Sequence, residues 1–355
     1  MNKNIGLSVG AVDDGFGDVK VDNNGNPFLV PSFVTSFKQK PDNDFSTSSE
    51  LQYLACEVDG KRYVVGDYAP KIDFDIRWTG GENKHNDKNF PIILKTALAL
   101  MSKGVHETIY TLMMNLPIKN DTPTRREQLM NIVKGTHDIK ISFDGVNFIP
   151  RTVTVEDVII KKQPFGSLCD LILDNNGEMI DPGLAKGFNV IADIGARTLN
   201  ILTVDALEEQ PKLTTHTNDG MFSAYMQIGE YLEGNLGVTI PDGKLPSVIL
   251  KKEIKGIDIT DLISQSYENH ANTIVNILDR ILINSTGFVT SLIFTGGGAE
   301  LLRPFLEKRY SGSGIDVKFL GRYSNVSGLR KYGIRQTKRS TKKTTVSAKI
   351  GSQQY

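Results

Sequence analysis

The run Asp13-Asp14-Gly15-Phe16-Gly17-Asp18-Val19-Lys20 gathers carboxylates, glycines and one ammonium into a single turn. Glycines in a tight turn let backbone N–H groups come close to an anion. The lysine adds a point charge, and an aspartate can hold a magnesium ion through water. The same residues also suit an ordinary hairpin turn. A second run, Asp193-Ile194-Gly195-Ala196-Arg197-Thr198, again puts Asp and Gly at the end of an apolar strand, 180 residues after Asp13. Two such loops face to face could clamp a polyphosphate and its metal between two domains. A third cluster, Gly296-Gly297-Gly298, ends one strand and opens a helix. It reads either as a helix cap with close helix–strand packing, or as a close backbone approach to a planar base or ribose.

These loops need strands to hold them. Alternation and apolar runs predict strands over Ile5–Val12, Val19–Val21, Pro27–Val34, Ile109–Leu116, Phe188–Ala192, Leu199–Val204 and Ser291–Phe294. Asn23-Asn24-Gly25 and Asp59-Gly60 mark tight hairpin turns. The block Ile139–Ile160 is strand-rich, with a turn at Asp144-Gly145. Helical spacing marks Phe90–Met101, Pro123–Val133, Gln163–Leu173, Ile257–Ser285 and Glu300–Tyr310. The order strand, Asp-x-Gly turn, strand therefore occurs twice. Residues 336–355 are rich in Thr, Ser and Lys without periodicity, which predicts a disordered tail.

With 355 residues, 39% hydrophobic and 23% charged, the chain suits two globular domains. Net charge is zero, but unevenly spread: after Asp316 there are ten basic residues and no acidic one, so the first 316 residues carry a net −10. That body repels nucleic acid phosphate. The basic tail reads as solvated chain or as a salt-sensitive contact to an anionic surface. Two cysteines, Cys56 and Cys169, make neither a zinc cluster nor a disulfide framework. There is no signal peptide and no membrane-length apolar run, so a cytoplasmic protein is expected. The five histidines have no metal-ligand spacing. Trp78 with Arg77 and Lys84 suits either packing or stacking on a nucleic acid base.

In order and spacing these motifs resemble the actin-like ATPase superfamily of actin, sugar kinases and heat-shock chaperone ATPases. Asp13-x-Gly15-x-x-x-x-Lys20 resembles the first phosphate loop, Asp193-x-Gly195 the second, and Thr295–Ala299 the adenosine motif. Gly15-Phe16-Gly17-Asp18, Lys162-Gln163-x-x-Gly166 and Gly195-x-Arg197-Thr198 are similar to ParM-type bacterial plasmid-segregation actins and their archaeal relatives. The resemblance implies ATP, or GTP, with Mg2+ as cofactor. It also implies nucleotide contacts from Asp13, Gly15, Phe16, Gly17, Asp18, Lys20, Gly195, Ala196, Arg197, Thr198 and Gly296 to Gly298. Asp13 and Asp193 would attend the metal through water, and Gln163 would position the attacking water. Arg197 would reach phosphate or form a structural ion pair. Asn200 stands where many relatives have Asp or His; it can orient water but cannot act as a base. Asn325–Gly333 resembles the closing hinge, with Val326, Ser327 and Leu329 in place of its usual small residues.

The fold expected is α/β: two actin-like, ribonuclease H-like domains flanking a nucleotide cleft. Domain I would span residues 1–165 and 323–337, with an inserted subdomain at about 36–88. Domain II would span 166–322, with a basic disordered tail at 338–355. The function implied is a head-to-tail filament-forming ATPase that moves plasmid DNA through a centromere-binding adaptor, without a membrane. A small-molecule kinase of the same superfamily, or a nucleotide-binding scaffold without turnover, are the alternatives. Nucleotide-dependent pelleting and phosphate release separate the three.

Overall fold

The computed structural model describes residues 9–40, 52–73, 76, 87–283, 285 and 287–351, with side chains as far as Arg339. The start of the predicted first strand, most of the polar loop before residue 51, and Arg77, Trp78, Lys84 and His85 lie outside those residues. The strands are β1 (Val9–Asp14), β2 (Asp18–Asn23), β3 (Asn26–Pro31), β4 (Val34–Ser36), β5 (Leu54–Val58), β6 (Lys61–Val65), β7 (His106–Leu116), β8 (Gly135–Ser142), β9 (Ile149–Lys162), β10 (Phe188–Ile194), β11 (Leu199–Asp205), β12 (Glu208–Glu209), β13 (Thr215–Thr217), β14 (Glu253–Ile254), β15 (Ile257–Asp258), β16 (Ser291–Thr295) and β17 (Asp316–Phe319). The helices are α1 (Ala69–Ile72), α2 (Phe90–Met101), α3 (Pro123–Val133), α4 (Phe165–Ile172), α5 (Pro182–Lys186), α6 (Met221–Leu236), α7 (Leu245–Lys251), α8 (Thr260–Leu282), α9 (Gly297–Tyr310) and α10 (Ser324–Gly351).

Among the described residues, nine strands form one sheet in the order β3-β2-β1-β7-β9-β8-β5-β6-β4. A six-stranded sheet runs β12-β11-β10-β16-β17, with β13 also on β11. Both sheets share one plan. β1 pairs antiparallel with β2 and parallel with β7, which pairs parallel with β9. β10 pairs antiparallel with β11 and parallel with β16, which pairs parallel with β17. The duplicated sequence pattern is thus one meander built twice. The Asp59-Gly60 hairpin continues the larger sheet, because β5 pairs with β8.

Strand side chains alternate between faces, and central strands β1, β10, β11 and β16 are buried on both faces. Val12 and Met114 pack with Phe90, Ile93 and Leu98 of α2, while their neighbours Ala11 and Met113 pack under Val326 and Leu329 of α10. In the second sheet Val190, Ala192 and Phe294 face α6, α8 and α9, and Ile191, Leu202 and Ile293 face Leu168 and Ile172 of α4. So α10 covers the inner face of one sheet and α4 that of the other, and the two helices cross. Glycines allow the crossing: a Cβ on Gly328 would collide with the backbone of Gly166, and one on Gly166 with Asn325 O. Ser167, Thr295 and Ser324 close the junction through buried hydroxyl contacts of 2.7–3.1 Å.

Two regions differ from expectation. Helices α6 and α7 carry no sequence assignment, because Gly229 and Gly234 dilute the pattern of α6; its buried stripe is Met221, Ala224, Ile228 and Leu232. The tail predicted to be disordered is instead helical as far as Gly351. No Gly or Pro interrupts residues 334–350, and a helix nucleated by its packed first half propagates at little cost. Basic residues of α10, two of them before residue 336, hold its base down. Lys331 pairs with Asp170 at 2.7 Å, Arg335 donates to Gly177 O at 3.0 Å, and Lys338 pairs with Glu178 at 3.1 Å.

Candidate nucleotide site

β1 ends in two buried aspartates, Asp13 and Asp14, which the strand pleat sends to opposite faces. Asp13 lies across from Lys20 in the β1–β2 register, with Lys20 Nζ 3.6 Å from its Oδ2. Burial alone would lower the Lys20 pKa, but Asp13, Asp18 and Asp193 together raise it above its ordinary value. The turn between them needs Gly15, where a Cβ would press within 2.6 Å of Asp18 O.

The second loop, after β10, is fixed by its own turn and by the start of α6. Gly195 N donates to Thr198 O at 2.9 Å; Met221 N donates to Gly195 O at 3.0 Å and Phe222 N to Ala196 O at 2.7 Å. The first N–H groups of a helix have no intrahelical partner, and here they bind the loop. A Cβ on Gly220 would collide with the Arg197 backbone, so Gly220 is required for this docking. The Arg197 guanidinium lies 5.1 Å above the Phe222 ring, a cation–π contact. Among the described residues it makes no ion pair.

The two loops meet. A Cβ on Gly17 would stand 3.0 Å from Ala196 Cβ. Burial and the charge of Asp13 push the Asp193 carboxyl up from its ordinary 3.8 to about 7, against the pull of Lys20. The three glycines at the start of α9 divide their work. Gly296 has φ +88°, and a Cβ there would lie 2.5 Å from Asp193 Oδ1; one on Gly298 would collide with Ile194. Gly297 has nothing within 4 Å of its Cβ position, so it alone offers open backbone to a ligand.

Gln163 lies between β9 and α4, at the crossing between the sheets, and not inside the helix predicted for it. Its Nε2 donates to Asp13 Oδ1 at 2.7 Å and to Asn115 Oδ1 at 3.2 Å. Its Oε1 accepts from Asn200 Nδ2 at 3.4 Å, and Asn200 Oδ1 accepts from Ile118 N at 3.2 Å. A carboxylate only accepts and a backbone N–H only donates. Both ends of the chain Ile118–Asn200–Gln163–Asp13 therefore impose the same amide orientations. Asn200, weighed from sequence as a water-orienting group, here orients Gln163.

Among the described residues the two Asp-x-Gly loops, Gln163 and the glycines after Thr295 lie together here. Sequence reasoning missed Asn115, Gly220, Tyr225 and Arg322. Arg322 N donates to Glu300 Oε1 at 2.7 Å, and its charge is felt by both Lys20 and Tyr225. Only Asn115 left a signal, as a polar residue next to the end of an apolar strand, two before Pro117.

Residues 11–166 match the family model of the N-terminal domain of actin-like proteins, and residues 191–308 match that of the C-terminal part of archaeal MreB-like actin homologues. Two models of actin-like families thus match different parts of the chain, and the chain has the actin-like ATPase fold. An archaeal actin homologue of Thermoplasma volcanium is 24% identical over 322 residues, 86% of this chain and 92% of its own. An archaeal actin homologue solved in complex with ADP aligns with a TM-score of 0.71 at 18% identity, over 94% of this chain and 100% of its own. A ParM from a 15-stranded filament of Clostridium botulinum aligns with a TM-score of 0.70 at 17% identity, over 92% and 98%. No helix among the described residues is long and apolar enough to cross a membrane.

Two consequences can be measured. Lys20→Met removes the cation between Asp13 and Asp193; a charge-assisted hydrogen bond is worth about 1.5–3 kcal/mol, so nucleoside triphosphate affinity should fall about 30-fold in calorimetric titration. The raised Asp193 pKa has effects of opposite sign on folding and on ligand. The folded chain takes up a proton that the unfolded chain releases, so the ligand-free protein should gain stability as pH falls from about 7 to 4. If the site binds nucleotide with magnesium through this carboxylate, that binding should weaken over the same window. Denaturant melts and titrations at pH 5, 6, 7 and 8 read both, and Asp193→Asn should flatten both profiles.

Proposed function

We propose that this cleft binds a magnesium nucleoside triphosphate, ATP by resemblance, and hydrolyses it, and that nucleotide state controls head-to-tail assembly of the chain. The observation that carries this reading is the meeting of Gly17 and Ala196, which brings two Asp-x-Gly loops together beside Gln163. Domain I comprises residues 1–165 and 323–337, including the segment at 36–88, and domain II comprises 166–322. The ADP complex of one fold relative and the filament of another support nucleotide binding and self-association.

Gly17 and Ala196 already approach each other closely, so phosphates entering between the loops would part the sheets about the α4–α10 crossing. Lys244, whose Nζ donates to Pro70 O at 3.0 Å between the two proposed domains, would release in that step. Lys20 and the backbone of both loops then hold the phosphates, and Gly297 leaves room for the nucleoside. Two oxygen donors, Asp13 and Asp193, fit Mg2+, which keeps several waters and takes its other ligands from phosphate; the excess buried negative charge that raises Asp193 is what such a cation relieves. When bound it neutralises charge developing on the phosphates. Gln163, held by Asp13 and Asn200, presents Oε1 to the attacking water, and placement supplies most of the catalysis.

Closure around nucleotide favours a heterologous interface that does not close on itself, and loss of the γ-phosphate loosens it. The biological role that fits is plasmid DNA segregation, with a centromere-binding adaptor joining filament to DNA, because the net −10 of the first 316 residues repels DNA itself. Electron microscopy and sedimentation with magnesium plus ATP, ADP or no nucleotide, alongside phosphate release, test this. Filaments with ATP and phosphate release that follows assembly are expected. Nucleotide uptake without filaments would leave only the cleft, and no uptake would remove the reading altogether.

A further inference from the structure

Three neighbouring parallel strands, β1, β7 and β9, end at the cleft with Asp13, Asn115 and, just beyond β9, Gln163. Asn115 is fully buried. Its Oδ1 accepts the second N–H of Gln163 at 3.2 Å, while its own Nδ2 is buried with no hydrogen-bond partner among the described residues. An unpaired buried donor lowers stability, whereas an apolar side chain of the same shape would carry no such penalty. Asn115 is therefore a poor choice for packing alone.

The amide orientations leave no ambiguity. Asp13 Oδ1 can only accept, so the Gln163 atom 2.7 Å away is Nε2. The Asn115 atom facing Nε2 must then be Oδ1, which makes Nδ2 the unpaired group. With both N–H groups engaged, Gln163 cannot rotate about its terminal torsion, which is otherwise broad and two-fold. Its Oε1 is left facing the second sheet. Asn200 takes one lone pair through a long contact of 3.4 Å, and the other remains for a water.

We infer that Asn115 is a positioning residue for nucleotide hydrolysis: by accepting the second N–H of Gln163 it fixes the amide with Oε1 toward the attacking water. The inference rests on the hydrolytic reading of the cleft. Without Asn115 the Gln163 amide nitrogen keeps one acceptor, Asp13, and only the long 3.4 Å contact from Asn200 steadies Oε1, so the amide can hinge. Asn115 turns that hinge into a two-point mount, and no part of the nucleotide need touch Asn115 for it to matter.

The test pairs Asn115→Leu, which is close in shape and lacks the acceptor, with Gln163→Leu and the double variant. Steady-state ATP hydrolysis, binding of a fluorescent ATP analogue, and urea unfolding are measured on the full chain. In addition, proton exchange of the Gln163 side-chain amide is followed by NMR, with the resonance assigned by its loss in Gln163→Leu. For Asn115→Leu, kcat should fall about 10- to 100-fold, with KM and analogue affinity within about 2-fold and the urea midpoint no lower than in the parent. In the Gln163→Leu background the same substitution should change kcat less than 2-fold, as expected of groups acting through one another. Amide exchange at Gln163 should accelerate at least 10-fold in Asn115→Leu.

Unchanged amide exchange, or an equal loss of kcat with and without Gln163, overturns the positioning role. A parent protein that binds no nucleotide and releases no phosphate instead overturns the hydrolytic reading, while the exchange measurement still decides whether Asn115 holds Gln163.

Discussion

Gly328→Ala is expected to destabilise the protein by about 3 kcal/mol, although alanine is the better helix former. By propensity alone the substitution would stabilise α10 by up to about 1 kcal/mol. The added methyl, however, would run into the backbone of Gly166 and Asp170. Overpacking normally costs about 1–3 kcal/mol, and here a backbone must move rather than a flexible side chain, so about 4 kcal/mol against about 1 is the balance. Gly234→Ala in α6 is the control: nothing lies within 4 Å of its Cβ position, so it should stabilise by about 0.5–1 kcal/mol. Urea unfolding of the two variants reads opposite signs from the same chemical change. If Gly328→Ala proves neutral, the helices do not cross as closely as described. On the proposed opening of the cleft about the α4–α10 crossing, the same substitution also touches the pivot. Nucleotide association in Gly328→Ala should slow together with the loss of stability.

Arg330→Met should cost about 3–5 kcal/mol. Arg330 Nε lies 3.1 Å from Asp22 Oδ1, with side-chain exposures of 8% and 1%, and its Nη2 donates to Asn175 Oδ1 at 3.3 Å. The pair is an ionic contact more than an aligned hydrogen bond, since Arg330 Nε has no hydrogen-bond partner. Removing one member of a buried pair strands the other charge. Replacing both by apolar residues does not, so Asp22→Leu with Arg330→Met should recover most of the loss. A double variant as unstable as the single one would show that Arg330 acts through Asn175 and not through Asp22. Asp22 sits on β2, the strand that carries Lys20, so the same pair ties the first phosphate hairpin to α10. If the sheets part as proposed, a shift of α10 would reach that hairpin through this pair.

Much of the fold is legible in order. Helix α3 begins at Pro123, behind Thr122, whose hydroxyl accepts from Arg125 N at 3.3 Å; proline at the first position and threonine before it are the signals that mark such a start. The paired hairpins were legible because aspartate and glycine at a strand end are local features, repeated with the same neighbours. By contrast, α6 hides behind its glycines, and the C-terminal extension of α10 lacks the apolar stripe that announces a helix. That stripe reports burial, and the contacts at the base of the extension are polar ones, from Lys331, Arg335 and Lys338 to backbone carbonyls and carboxylates.

The sequence alone determined the two strand–Asp-x-Gly–strand meanders, the glycines after Thr295 and the acidic body with its basic end, because turn chemistry, strand period and charge are properties of near neighbours. Only the tertiary structure decided that Gly328 meets Gly166, that Arg197 lies on Phe222, that Asn115 holds Gln163, and that Asn200 reaches Gln163 from the other sheet. Those partners are tens to more than a hundred residues apart. Their distances and hydrogen-bond polarities exist only once both sheets have folded and α4 has crossed α10.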